Sequence, residues 1–130
     1  MNANELRIGN YVNLDAPIQD KLIRIAPYHI LEIYQCEIAK SKIPYKPIPL
    51  TEEILLKCEG FSLTSDYGDQ KYYDNGKFGV CFDHDELVFF RCSIRNAVNN
   101  LIYDSEHFQY LHHFQNTMYS LTGEELKIEL

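Results

Sequence analysis

The sequence predicts an α+β fold: a small SH3-like or meander antiparallel β-sheet with a short middle helix and a C-terminal amphipathic helix packed on it. Three observations carry this. His107, Tyr110, Leu111, Phe114, Met118 and Leu121 fall within an arc of roughly 100° when each residue advances by about 100°, the apolar stripe of a helix. Asp74-Asn75-Gly76 puts an Asn-Gly turn signal between two strand-like runs, Lys71-Tyr72-Tyr73 and Phe78-Gly79-Val80-Cys81-Phe82. Pro44, Pro47 and Pro49 forbid a helix or a central strand where they stand, so an extended loop divides the chain.

Taken in order, Leu6, Ile8, Tyr11 and Val12 around Gly9-Asn10 read as a twisted β-unit entered through a turn, an arrangement common in SH3-like barrels. Leu22-Ile23-Arg24-Ile25 and His29-Ile30-Leu31-Glu32-Ile33-Tyr34, separated by Ala26-Pro27, read as the next strands, with a helix over 30–39 as the alternative. After the proline loop, Thr51 is placed to cap a short helix whose first turn holds Glu52 and Glu53. Its docking face would be Ile54, Cys58 and Phe61, with Gly60 as the stop. From Phe61 to Cys92 a meander of three or four strands is expected, then turns around Asn96, Asn99 and Asn100, and a last strand at Leu101-Ile102-Tyr103. The final helix leaves His112, His113, Asn116 and Ser120 off its apolar stripe and ends at Thr122-Gly123.

The 130 residues suffice for a single domain, 1–130, with a core that needs neither disulfides nor metals. With 45% apolar and 24% charged residues, wholesale disorder is excluded. No apolar run reaches the roughly 20 residues of a membrane helix and the N-terminus is polar, which implies a cytoplasmic protein without a membrane partner. Cys36, Cys58, Cys81 and Cys92, 22, 23 and 11 residues apart, lack ligand spacing and read as buried thiols in a reducing compartment.

Charge is uneven. Residues 21–46 carry five cations against two anions, and residues 59–86 carry seven anions against two cations. The acidic stretch, with ten Tyr in the whole chain to draw on, predicts a surface for a basic partner made by Asp66, Tyr67, Asp69, Tyr72, Tyr73, Asp74, Asp83, Asp85 and Glu86. Lys40, Lys42, Tyr45 and Lys46 form the candidate phosphate or RNA contact, although a pI near 5.1 excludes a general nucleic-acid binder. Asp83-His84-Asp85-Glu86 reads as a polar hairpin tip too short for a calcium loop and too poor in ligands for zinc. His112 and His113 are adjacent on a helix and point about 100° apart, unlike a chelating pair at i and i+4. No nucleophile or phosphate-loop motif is present, so neither catalytic residues, nor a cofactor, nor a metal site is expected.

Three blocks carry a resemblance. Glu5-Leu6-Arg7-Ile8-Gly9-Asn10-Tyr11-Val12, Pro47-Ile48-Pro49-Leu50-Thr51-Glu52-Glu53-Ile54-Leu55-Leu56 and Leu121-Thr122-Gly123-Glu124-Glu125-Leu126 resemble, in this order, a family of small proteins of phages, prophages and other mobile elements of Bacteroidetes. Members often have Tyr-Val-His-Gln-Leu-Gln-Asn before the last block; here Tyr110, His112, Gln115 and Asn116 keep that pattern and the positions between them vary. The resemblance implies a non-enzymatic interaction protein, an inhibitor of a host defence system of the anti-CRISPR type, whose partner is a host protein such as a CRISPR effector nuclease or its guide RNA complex. A small protein sequestering a nucleotide signal, or an enzyme with no recognisable motif, is the alternative.

Overall fold

A computed structural model describes residues 1–15, 21–85, 88–96, 101–103 and 110–130, with side chains at 1–15, 21–82 and 110–130. The architecture is α+β, with two antiparallel sheets and three helices among the described residues. Contacts group the chain into two compact units, Met1–Pro49 with Tyr110–Glu125, and Leu50–Gln109 with Leu126–Leu130.

In the first unit Asn2 caps a 3-10 turn (Ala3–Glu5), its Oδ1 accepting from the Asn4 and Glu5 amides at 2.9 and 3.2 Å. β1 (Tyr11–Leu14) is the centre of a sheet ordered β2-β1-β3, flanked antiparallel by β2 (Lys21–Arg24) and β3 (Tyr45–Pro47). The proline segment thus supplies an edge strand, the one sheet position where a missing N–H does no harm. Between them runs α1 (Pro27–Ala39), where the reading of His29–Tyr34 as a strand fails and its helical alternative holds. Pro27 stands at the first helical position, which needs no N–H. The Ala26 amide donates to His29 Nδ1 at 2.8 Å, and the helix closes with Lys40 in the left-handed region (φ 52°) and Ser41 N–H donating to Cys36 O at 3.0 Å. The strand reading fails because α1 is apolar on two opposite faces. His29 and Ile33 are buried, while Tyr28, Leu31, Tyr34 and Ile38 are exposed, so no polar face marks the helical period.

α3 (Leu111–Thr122) begins and ends as a helix should. Leu111 N–H donates to Ile48 O at 2.8 Å, Pro49 bridges to Tyr110, and Gly123 (φ 72°) closes the last turn on Tyr119 O at 2.8 Å. Its buried face is Leu111, His112, Phe114, Gln115 and Met118. That face is rotated from the expected stripe: Leu121 is exposed, Tyr110 is half-buried, and His107 lies outside the described residues. Two polar side chains occupy the difference. Gln115 Oε1 accepts from Tyr11 N–H at 2.9 Å and its Nε2 donates to Gly9 O at 3.2 Å. Asn116 Nδ2 donates to Glu5 O at 2.8 Å, and its Oδ1 accepts from Asn10 Nδ2 at 2.8 Å. Ala3, Leu6, Val12, Ile25 and Ile33 form the apolar cluster of this unit, with Met1, Ile23, Ile30, Ile43 and Tyr45 packed against it.

The second unit opens with α2 (Glu52–Leu56), capped by Thr51 Oγ1, which accepts from Ile54 N–H at 3.2 Å. The buried residues are Leu55, Cys58 and Phe61, one position round from the expected Ile54. Five strands follow as a meander: β4 (Ser62–Asp66), β5 (Gln70–Asp74), β6 (Phe78–Asp85), β7 (Val88–Asn96) and β8 (Leu101–Tyr103), each antiparallel to the next. The Asn-Gly turn is where it was expected: Asn75 Oδ1 accepts from the Lys77 and Phe78 amides at 2.9 and 2.8 Å, and Gly76 has φ 92°. β6 runs through Asp83, opposite Arg91, to its last residue Asp85, which pairs with Val88 at the start of β7 after a register shift, next to the connection that joins the two strands. Tyr73 and Phe82, both buried, pack edge-to-face at 5.5 Å.

Phe114 is fully buried, so Phe114→Ala should destabilise the protein by roughly 3–5 kcal/mol in denaturant melts. Gln115→Ala strands the Tyr11 amide and the Gly9 carbonyl and should lower stability by about 1–3 kcal/mol. A Gln115→Ala variant as stable as the parent would show that water replaces the amide there.

Candidate functional site

The acidic stretch folds into the β4–β5 hairpin. At its tip Asp66 Oδ1 accepts from Gly68 N–H at 2.9 Å, Tyr67 N–H donates to Gln70 O at 2.8 Å, and Gly68 takes φ 85°. Tyr67 is 69% exposed and stands edge-on to Tyr72 at 5.9 Å. Asp69 is exposed beside it. β4 is the outer strand of the sheet, and its register shift between Leu63 and Ser65 is secured by Thr64 Oγ1 donating to Tyr72 O at 3.0 Å.

Not every residue of the predicted face belongs to it. Tyr73 points into the core, where burial and then the Glu52 carboxylate raise its pKa, so it cannot contact a partner. Asp74 is half-buried and accepts from the Gly76 amide. The side chains of Asp83 and Asp85, and Glu86 entirely, lie outside the described residues.

The basic candidates lie in the first unit. Lys40 is exposed at the end of α1. Lys42 pairs with Asp15 at 3.2 Å. Tyr45 donates its hydroxyl to Glu32 Oε2 at 2.8 Å, stands edge-on to His29 at 5.4 Å, and is pushed up to about 12 by burial together with that carboxylate. Lys46 is half-buried on β3, opposite Asn13. The lysines and the ring therefore do not form an open stacking platform.

A different constellation is the one the sequence reading misses. Glu5, His112 and His113 place one ligand atom each within 4.8 Å of one another. Glu5 Oε2 is 3.5 Å from His112 Nε2 and 3.8 Å from His113 Nε2, and the imidazole centroids are 4.3 Å apart. Adjacent helical residues do diverge, but these occupy the first turn of α3 under the 3-10 turn, and Asn116 holds the Glu5 backbone over them. Tyr110 covers the group, its ring parallel to His112 at 5.8 Å and tilted on His113 at 5.5 Å. His112 is fully buried with no hydrogen-bond partner on either nitrogen, and His113 Nδ1 is also without one. Burial, then the neighbouring His113, lowers the His112 pKa to about 4 against the pull of Glu5, so the ring is neutral at pH 7. The signal in the sequence is the adjacent pair His112-His113 at the start of the last helix, but nothing in it points to Glu5.

Two other features bear on chemistry. Cys58 lines an open groove of about 730 Å³ with Phe61, Lys127 and Glu129. Burial pushes its thiol up to about 12, and its Sγ donates to Ile54 O at 3.5 Å, so it is no thiolate nucleophile at pH 7. Cys81 is buried as expected and Cys36 is half-buried. No helix among the described residues is long and apolar enough to cross a membrane. No family model, curated protein or solved structure matches the chain.

The depressed His112 pKa fixes a sign. Below its ordinary value of 6.5 the unfolded chain takes up a proton that the folded chain refuses until about 4, so stability falls as pH drops through that window. The groups acting on this ring include Glu5, His113 and the Met1 amino group. Chemical denaturation should show a decline between about pH 6.5 and 4 that His112→Gln flattens; equal slopes in parent and variant would refute the assignment.

Proposed function

We propose that this chain is a non-enzymatic interaction protein of a phage or mobile element that binds a basic surface on a host defence protein through the β4–β5 hairpin. The carrying observation is Tyr67, 69% exposed at a tight turn and braced by Tyr72, with Asp66 and Asp69 beside it. A rigid ring with a polar tip is the kind of anchor that interfaces favour, and the carboxylates supply orientation and association rate. Leu63 on the same outer strand is also exposed and adds apolar area. The resemblance to mobile-element proteins supports a defence factor as partner, and a CRISPR effector, whose nucleic-acid channel is basic, fits the charge.

The reading through Lys40, Lys42, Tyr45 and Lys46, toward guide RNA or a nucleotide signal, has less support because Lys42 and Tyr45 already face carboxylates. The protonated Cys58 thiol gives no support to an enzyme.

The test uses Asp69→Lys and Tyr67→Ala against a purified effector complex. Asp66 and Asp74 are poor choices, since each accepts a turn amide and its reversal would disturb the hairpin. Each variant should keep the parent's stability within about 0.5 kcal/mol and together they should weaken binding at least tenfold. Binding of the parent should weaken with salt, since such charges are screened over about 8 Å at physiological ionic strength. Undiminished binding by the double variant, with loss in Leu31→Glu or in a Lys40, Lys42, Lys46 reversal, would move the interface to the first unit.

A further inference from the structure

We propose that Glu5, His112 and His113 form a binding site for a first-row divalent cation of the zinc class, with two imidazoles and one carboxylate as ligands and coordination positions left for water. The donor set is one that such ions take, since neutral imidazole nitrogen and carboxylate oxygen suit zinc and its neighbours. The spacing also fits. Two ligands on a tetrahedral ion with bonds of about 2.1 Å lie about 3.4 Å apart, and here Glu5 Oε2 is 3.5 Å from one Nε2 and 3.8 Å from the other.

The second, independent observation is the state of His112. A fully buried ring with both nitrogens unpartnered carries a penalty that most folded proteins avoid, and a group of this kind calls for a missing partner. Its nitrogen faces Glu5 beside His113, where a cation would satisfy it. Access is from the outside of the cluster, because the His113 and Glu5 side chains remain 28% and 35% exposed.

One term opposes the site. The cluster lies at the N-terminus of α3, where the helix dipole disfavours a cation. That effect is a small fraction of the free energy of a three-ligand transition-metal site, and the Glu5 charge offsets it. The missing support for Nδ1 matters more. Neither histidine has a protein partner on that atom, and loss of such outer contacts weakens metal affinity about 10- to 100-fold. The site should therefore be weaker than a structural zinc site and be lost on extensive dialysis against chelator without unfolding the chain.

The test titrates the metal-stripped full chain with Zn²⁺ by calorimetry and with Co²⁺ by its ligand-field absorption, and follows the thermal midpoint. The expected result is one ion per chain, a Co²⁺ band of tetrahedral or five-coordinate intensity, and a midpoint that rises with Zn²⁺. Glu5→Gln and His113→Gln, both at partly exposed positions, should each weaken binding at least tenfold while remaining folded. His112→Gln should abolish it, and histidine ring NMR signals of the parent should shift at both positions on Zn²⁺ addition. Absence of stoichiometric binding, binding only at millimolar metal, or affinity unchanged in both Glu5→Gln and His113→Gln would overturn the proposal.

Discussion

The first unit depends on two side-chain amides. The segment between the 3-10 turn and β1 belongs to neither helix nor sheet, and its buried peptide groups have to be satisfied from elsewhere. Gln115 serves Gly9 O and Tyr11 N–H, Asn116 serves Glu5 O, and Asn10, held by Asn116, accepts from Arg7 N–H at 2.7 Å. Leaving any of these groups unpaired would cost about 1–3 kcal/mol, a large part of the stability of a small domain. The polar face of α3 therefore decides where Glu5 and Arg7 stand, and everything chemical in this unit follows from that.

Arg7 shows the reach of this constraint. Its guanidinium pairs with the Glu125 carboxylate through both nitrogens and lies 4.1 Å from the centre of the Tyr119 ring. Glu125 also lies 3.7 Å from where a side chain on Gly9 would begin, and Gly9 itself has φ 94°. A residue with a Cβ at that position would be strained in backbone before any clash arose. The N-terminal segment Glu5 to Tyr11 and the C-terminal segment Gln115 to Glu125 are thus two halves of one contact.

Much of the fold was legible because it follows local rules. The Asn75-Gly76 turn, the Thr51 cap and the Gly123 stop each rest on one or two residues whose backbone preference is strong. α1 was misread for the opposite reason: its exposed face carries Tyr28, Leu31, Tyr34 and Ile38, so the sequence shows apolar residues all round and β-branched runs besides. Periodicity also cannot recognise a polar residue buried by choice of partner, which is why the apolar stripe excludes His112 and does not include Gln115, although both are buried. Glu5 was invisible as a site residue because its role depends on a contact more than a hundred positions away along the chain.

The charge pattern teaches a related lesson about surfaces. Counting carboxylates over 59–86 suggests a strong acidic field, yet several of those groups have local work. Asp66 and Asp74 each accept a turn amide, and Glu59 lies 3.7 Å from Lys127. A carboxylate holding a backbone N–H keeps its charge, but its position is dictated by the turn and cannot adapt to a partner. The same discount applies to the basic loop, where Lys42 faces Asp15. What remains exposed at the hairpin tip without a turn bond on its side chain is Asp69 and the ring of Tyr67, which Tyr72 braces. Under the proposed function, recognition there would rest on shape and one aromatic anchor more than on bulk charge, so affinity should respond more to Tyr67 than to ionic strength.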